Sequence, residues 1–397
     1  MRIASRSFRV LSSLLCLAGP GLAHAGGLLF YEYATDNASL ANAGAPEPST
    51  FAGNPFRSAT QANGGESREW LPGAGAFLGY RLSPALSAGF GLYGDSGVAA
   101  NYDEAWGGRY FVQDARSTGF ALAPGLAYRL GKQWSVGLGL RAVYGALDSG
   151  AAVDNDPQAV GDFADGQLHY KSDDWGYGAN LGVIYQPRHG TRIGLSYTTE
   201  VDLEFEDRSR IANLRPPRAG LLDVRGILGA PQRLDLPTPQ SATLSLYHAF
   251  DSRWAVLASA GWQDWSAFGR AGTERDADNP VAASGERKYR DTWHLAVGTQ
   301  YQATPALRWQ AGLAYDSAAG SERDRTFDTP MAKSWRLGAG VNYALDPGVE
   351  LNLNYTFVWM GDMPITQSKG LNGRIATSGE FANAAIHVLS GSITWRY

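Results

Sequence analysis

The chain of 397 residues holds one cysteine, four methionines and few charges, with Asp, Glu, Lys and Arg together at 18%. So low a charged fraction argues against a long coiled coil or a disordered tail protein. Lys and Arg number 34 against 38 Asp and Glu, a formal net charge of -4, so no basic excess advertises nucleic-acid binding. Beyond the N-terminus there is no run of about 18 apolar residues, which excludes a helical membrane protein. What is abundant is glycine, at 49 residues, with 19 Tyr and 12 Trp, yet mean hydropathy is only -0.24. Length alone allows two domains or one large barrel. Aromatic richness without a membrane helix leaves a large soluble β-protein or a membrane barrel.

Arg2, Arg6 and Arg9 precede a short apolar stretch at 10–22, and Ala23-His24-Ala25 supplies a small-x-small cleavage pattern. Residues 1–25 therefore read as a secretory signal cleaved after Ala25, rather than a buried helix. Cys16 follows Leu15, where a lipidation signal wants a small residue, so a lipoprotein is the weaker reading. Cys16 leaves with the signal, which removes any disulfide, thiol nucleophile or thiolate metal site from the mature chain.

The mature chain alternates with period two. Trp134, Val136, Leu138, Leu140, Ala142 and Tyr144 interleave with Ser135, Gly137, Gly139, Arg141 and Val143. Val349, Leu351, Leu353, Tyr355, Phe357 and Trp359 do the same, as do 193–205, 293–301, 309–315 and 335–343. Successive strand side chains point to opposite faces, so each segment has one oily face and one small or polar face. Many segments begin and end with Trp or Tyr, as the aromatic girdles of an outer-membrane barrel require.

The connections alternate too. Tight turns fall at Ser83-Pro84, Gly131-Lys132, 187–190, Asp251-Ser252, Thr304-Pro305 and 346–348. Longer polar segments lie between them, near 99–108, 149–167, 206–237, 269–286, 318–330 and 362–380. Short periplasmic turns against long outer loops mark a barrel; nothing in a sandwich requires that rhythm. The chain ends Ile393-Thr394-Trp395-Arg396-Tyr397, similar to the signal read by the barrel assembly machinery. About thirteen strands can be counted from Trp70 onward. A single-chain bacterial barrel is even-stranded, so a weak first strand is expected near the start.

Four blocks then carry a family resemblance. They are Tyr102-Asp103-Glu104-Ala105-Trp106-Gly107-Gly108-Arg109-Tyr110, Asp174-Trp175-Gly176-Tyr177-Gly178-Ala179-Asn180-Leu181-Gly182, Gly261-Trp262-Gln263-Asp264-Trp265-Ser266-Ala267-Phe268 and Tyr289-Arg290-Asp291-Thr292-Trp293. In their order and spacing the chain resembles the FadL family of outer-membrane transporters for long-chain fatty acids and other hydrophobic compounds. The resemblance implies an all-β fold: a transmembrane antiparallel β-barrel of fourteen strands, plugged by a small N-terminal hatch. The expected division is signal 1–25, hatch 26–66 with a weak first strand, and barrel 67–397. The family's hatch carries Asn-Pro-Ala; here Asn54, Pro55 and Phe56 stand in that place, Phe replacing Ala, and the following segment is shorter.

The resemblance also implies a route: capture on outer loops, an internal pocket, hatch rearrangement, and sideways exit at a kinked strand. That strand matches 87–99, interrupted by Gly94 and Gly97, and interior glycines mark bulges or plain packing. Loop 206–237 carries Leu214, Leu221, Leu222, Ile227 and Leu228 at roughly helical spacing, suited to apolar capture or to a small helix packed on the mouth. Arg208, Arg210, Arg215 and Arg218 in that loop are candidates for a carboxylate or lipopolysaccharide phosphate, or are simply solvated. The expected partners are a long-chain fatty acid or other hydrophobic ligand, outer-membrane lipid and lipopolysaccharide, and the assembly machinery. The expected state is a monomer in the outer membrane of a Gram-negative bacterium.

Two other classes compete. A general diffusion porin for small polar solutes shares the barrel pattern. A barrel hydrolase would need a nucleophile and base; Ser245 and His248 are nearest but sit three apart on a strand, facing opposite ways. His169, His189, His248, His294 and His387 show no metal-ligand spacing, and there is no nucleophile elbow or phosphate loop. No cofactor, metal or catalysis is expected.

Overall fold

A computed structural model describes residues 9–11, 54–58, 66–67, 73–104, 106–155, 164–208, 210–224, 228–229, 231–268, 289–328, 330–369 and 375–396. Among these residues thirteen long strands form the wall: β1 Gly75–Arg81, β2 Leu86–Asn101, β3 Asp114–Leu130, β4 Trp134–Val153, β5 Gly166–Arg188, β6 Thr191–Thr198, β7 Ser241–Ala249, β8 Trp254–Gln263, β9 Thr292–Gln302, β10 Leu307–Asp316, β11 Ser334–Asp346, β12 Val349–Lys369 and β13 Ile375–Trp395. Each pairs antiparallel with the next, and β6 meets β7 directly across the long insertion between them. The short strand Asn54–Ser58 pairs with β13, Ser58 opposite Gly379 and Phe56 opposite Phe381. Arg9–Leu11, inside the expected signal, pairs with β1. The rest of the expected signal and most of the expected hatch lie outside the described residues.

Period-two patterning becomes two faces. On β9, Trp293, Leu295 and Val297 point outward and are more than half exposed, while Thr292, His294 and Ala296 point into the lumen and are buried. Aromatic pairs close each end of the outward band. Trp134 stacks on Tyr185 at 4.3 Å and Trp254 meets Tyr301 at 4.6 Å on the short-turn side. Tyr144 meets Trp175 at 5.3 Å and Tyr315 meets Trp335 at 5.0 Å on the long-loop side. From Trp335 to Tyr343 the strand runs about 26 Å at roughly 3.3 Å per residue, and a tilt of about 40° reduces this to roughly 20 Å along the barrel axis, close to the thickness of an outer-membrane apolar band.

The tight turns are held by their own side chains. Ser83 Oγ accepts from the amides of Ala85 and Leu86, Thr304 Oγ1 from Ala306 and Leu307, and Asp251 Oδ1 from Arg253 and Trp254. Gly131 and Gly190 complete two others in the left-handed region, at φ 70° and 82°, where a side chain would be strained. A shallow groove of about 410 Å³, lined by Val341, Tyr343, Leu353 and Ile393, lies on the lipid-facing wall.

Two irregularities interrupt the β2–β3–β4 wall. The β2–β3 register shifts between Gly94 and Ser96, leaving Asp95 as the extra residue of a bulge. The β3–β4 register passes from Leu122↔Ala142 to Gly125↔Gly139, skipping Ala123 and Pro124. Proline has no amide to donate, so it breaks a ladder on the side where its N–H would point.

Candidate functional site

Among the described residues, three structures narrow the lumen. The first is the loop 102–113 between β2 and β3, which folds inward. Tyr102 stacks on Trp106 at 4.2 Å, and Trp106 meets the Phe327 ring edge-on at 5.1 Å. Trp106 Nε1 donates to the Val112 carbonyl, and Thr377 on β13 donates to the Gly107 carbonyl. Gly108 is obligatory because a Cβ there would lie 2.2 Å from the Trp106 ring. Burial pushes the Tyr102 hydroxyl pKa up, so it stays a donor, to the Phe327 carbonyl. On the outer side Arg109 Nε pairs with Asp165 Oδ2 at 2.7 Å and Tyr110 donates to the same carboxylate. This roof covers an apolar cluster of Met360, Met363, Ile365, Phe381 and Ile386 from β12 and β13.

The second is the segment 199–205. The expected strand over 193–205 ends at Thr198, and the chain then leaves the wall and crosses the luminal face of β4 and β5. Glycines make room for it. A Cβ on Gly176 would lie 2.3 Å from the Asp202 carbonyl oxygen, one on Gly178 2.8 Å from Val201, and one on Gly145 2.7 Å from Leu203. Val201, Leu203 and Phe205 are fully buried there. The glycines of the Trp175-Gly176-Tyr177-Gly178 block therefore act as a seat, with the aromatics turned to lipid.

The third is the bulge. Asp95 points inward, is fully buried, and forms an ion pair with Arg141 of β4. Neither residue stood out in the sequence. Gly94 borders the bulge, whereas Gly97 pairs regularly with Thr118. Of Asn54, Pro55 and Phe56 only the backbone is described, in the short strand beside β13.

The insertion after β6 also builds its own small fold. Glu204–Arg208 pairs with Pro231–Asp235, Arg210–Ala212 extends the edge of β5, and helix α1 spans Pro216–Val224. Proline suits its first turn, where the missing amide has no partner to lose. The expected capture set divides. Leu222 is fully buried against Leu168, Ile211, Leu214 and Leu228, whereas Leu221 is 41% and Val224 88% exposed. Ile227 lies outside the described residues. Arg208 and Arg210 are exposed on the strands, while Arg215 and Arg218 are half-buried at the helix.

Sequence reasoning missed a buried polar network at the outer, long-loop ends of β9, β10 and β11. His294 Nδ1 lies 2.7 Å from Asp316 Oδ1, while Arg336 Nε and Ser334 Oγ donate to Asp316 Oδ2 at 2.7 and 2.8 Å. Its members sit on three neighbouring strands, which linear spacing does not reveal. His169 likewise joins Asp114 and Asp148 at the outer ends of β3–β5 in a group with metal-ligating atoms. Lys171 Nζ lies 3.3 Å from Asp148 there, and His169 Nε2 lies 3.4 Å from the same carboxylate. His248 bonds Thr191, and Ser245 faces away from it in the ladder.

A family profile described as outer membrane protein transport protein (OMPP1/FadL/TodX) matches residues 28–396. The long-chain fatty acid transport protein of Escherichia coli O6:H1 is 26% identical over 271 residues, covering 62% of this chain and 59% of that protein. The chain thus spans less than two thirds of that relative. Outer membrane protein P1 of Haemophilus influenzae is 26% identical over 331 residues, covering 76% and 69%. Among solved structures, a Pseudomonas aeruginosa FadL homologue superposes with a TM-score of 0.77 at 18% identity, covering 98% of this chain and 90% of that one. The Ralstonia pickettii toluene transporter TbuX gives 0.56 at 17% identity, covering 87% of each.

Proposed function

The chain belongs to the OMPP1/FadL/TodX family of outer membrane transport proteins, and from that premise we propose that it takes up long-chain fatty acids or other hydrophobic small molecules across the outer membrane. The observation that carries the reading is the apolar cluster of Met360, Met363, Ile365, Phe381 and Ile386 inside the barrel mouth, beneath Trp106 and Phe327. Each buried CH₂ is worth about 0.8 kcal/mol, so an acyl chain needs an apolar track and gains nothing from a watery pore. Methionines suit such a track because their flexible thioethers adapt to cargo of varied shape. Cargo would meet Leu221 and Val224 of α1, pass beneath the roof, and leave sideways where the β2–β3 ladder is broken at Asp95. Hatch rearrangement around Asn54, Pro55 and Phe56 and headgroup contact by Arg208, Arg210, Arg215 and Arg218 belong to the same reading. So do a monomeric state, contact with lipopolysaccharide and insertion by the assembly machinery through β13.

The test is uptake of labelled oleic acid and labelled toluene by cells lacking the gene, with and without the restored chain. Restored uptake of either supports the reading; uptake of both at the deletion level overturns it. A general diffusion porin predicts a large, steady conductance in planar bilayers, which the roof and the segment 199–205 oppose.

A further inference from the structure

The ion pair at the bulge has features that a plain wall contact does not need. Asp95 and Arg141 sit on strands separated by β3, so the guanidinium must cross that strand on the luminal side. It can do so because β3 offers only Gly119, Ala121 and Ala123 on the face beneath. Tyr93, two residues before Asp95, packs beside Ala121 and Val143 on the same luminal face. Val201 closes over Tyr93, Ala121 and Val143, and it is itself fully buried. A carboxylate and a guanidinium are thus held away from water at the one place where β2 leaves its ladder.

Buried ion pairs rarely add stability over apolar packing, while a single buried charge without its partner is costly. A fatty-acid carboxylate entering the lumen faces that same cost unless a cation awaits it. We propose that Arg141 is the carboxylate-exchange point of this barrel, with Asp95 its resident placeholder; the proposal rests on the uptake reading above. Planar guanidinium accepts one carboxylate in the geometry of another, so an incoming acid can take the position of Asp95 with the charge count at Arg141 unchanged. Asp95 can give way because its backbone is the extra residue of a bulge and is not held by a regular register. Its displacement loosens the wall at the bulge and couples arrival of an acid to sideways exit. A neutral hydrocarbon has no group to exchange and leaves the pair closed, so the device selects anionic amphiphiles.

The experiment titrates the purified full chain in detergent with radiolabelled oleic acid and, separately, methyl oleate, at a pH where the acid is ionised. The readout is the ratio of the two affinities, which a merely structural role would not move. Asp95→Asn removes the competitor and is expected to raise the acid-to-ester ratio about tenfold, the scale of one charge-assisted hydrogen bond. The double variant Asp95→Asn/Arg141→Met removes both charges together, avoids an orphaned ion, and is expected to bring the ratio close to one. Ratios unmoved in both variants, with wild-type protein binding both compounds, overturn the exchange and leave the uptake reading standing. Wild-type protein that binds neither compound overturns both.

Discussion

The Tyr102 hydroxyl donates to the Phe327 carbonyl at 2.8 Å, joining the loop after β2 to the loop after β10 across the mouth of the barrel. The bond is buried, and the rings of Tyr102, Trp106 and Phe327 pack around it. Tyr102→Phe keeps the ring and loses one hydrogen bond, about 1 kcal/mol, leaving the carbonyl orphaned. Trp106→Ala removes the central ring and is expected to cost about 3–5 kcal/mol of local packing. Single-channel recording in planar bilayers checks this. Tyr102→Phe should produce brief openings, Trp106→Ala a sustained conductance, and a silent Trp106→Ala channel would show that the roof is not the barrier.

That roof was half legible beforehand. The block Tyr102 to Tyr110 stood out as a motif, and its position between strands placed it on an outer loop. Its inward fold was not readable, because Phe327 and Thr377 lie hundreds of residues away and pair with it only in space. The wall was legible almost strand by strand, since alternation and turn residues are local signals. Segment 199–205 was misread as more strand because its Val201, Leu203 and Phe205 continue the alternation. What turns it inward is the room left by Gly145, Gly176 and Gly178 on other strands. Arg141 looked like one polar residue in an alternating run, and only Asp95 across β3 gives it a partner.

Those glycines give a second prediction. A methyl on Gly176 would meet the Asp202 carbonyl oxygen at 2.3 Å and Val201 at 2.5 Å, and backbone must move to admit it. Gly176→Ala is expected to cost about 1–3 kcal/mol as overpacking and to lift 199–205 from the wall. Gly182→Ala, with nothing within 4 Å of the added carbon, is the control on the same strand. Urea unfolding of the two variants in lipid vesicles should separate them clearly. Equal midpoints would mean that the segment is not seated on Gly176.

On the short-turn side, Asp251 carries a pH dependence. Backbone hydrogen bonds from Trp254 and Arg253 hold its pKa below the usual carboxylate value. A depressed folded-state pKa adds stability that is full above the unfolded value, about 3.9, and is lost as pH falls through the folded one. Asp251→Ala should therefore unfold more readily than wild type at neutral pH, and the gap should close in strong acid. Heat-modified gel mobility across a pH series measures it, and a gap that persists in acid would assign the effect to something other than the carboxylate.

Helix α1 separates capture from scaffolding, because of its two adjacent leucines one is buried and the other exposed. Leu222 is fully buried in the small core of the insertion, whereas Leu221 and Val224 face outward. Leu222→Ala is expected to destabilise the insertion by about 2–5 kcal/mol, since it empties a packed site. Leu221→Asp and Val224→Asp leave that core filled and place charge on the outward apolar surface. If α1 captures cargo, the aspartates should raise the half-saturating oleic acid concentration for uptake several-fold while the maximal rate holds. They should do so without altering protease resistance of the insertion, which Leu222→Ala should reduce. Unchanged half-saturation in the double aspartate variant would leave α1 as scaffold for the mouth, and would move first contact with cargo elsewhere on the outer loops.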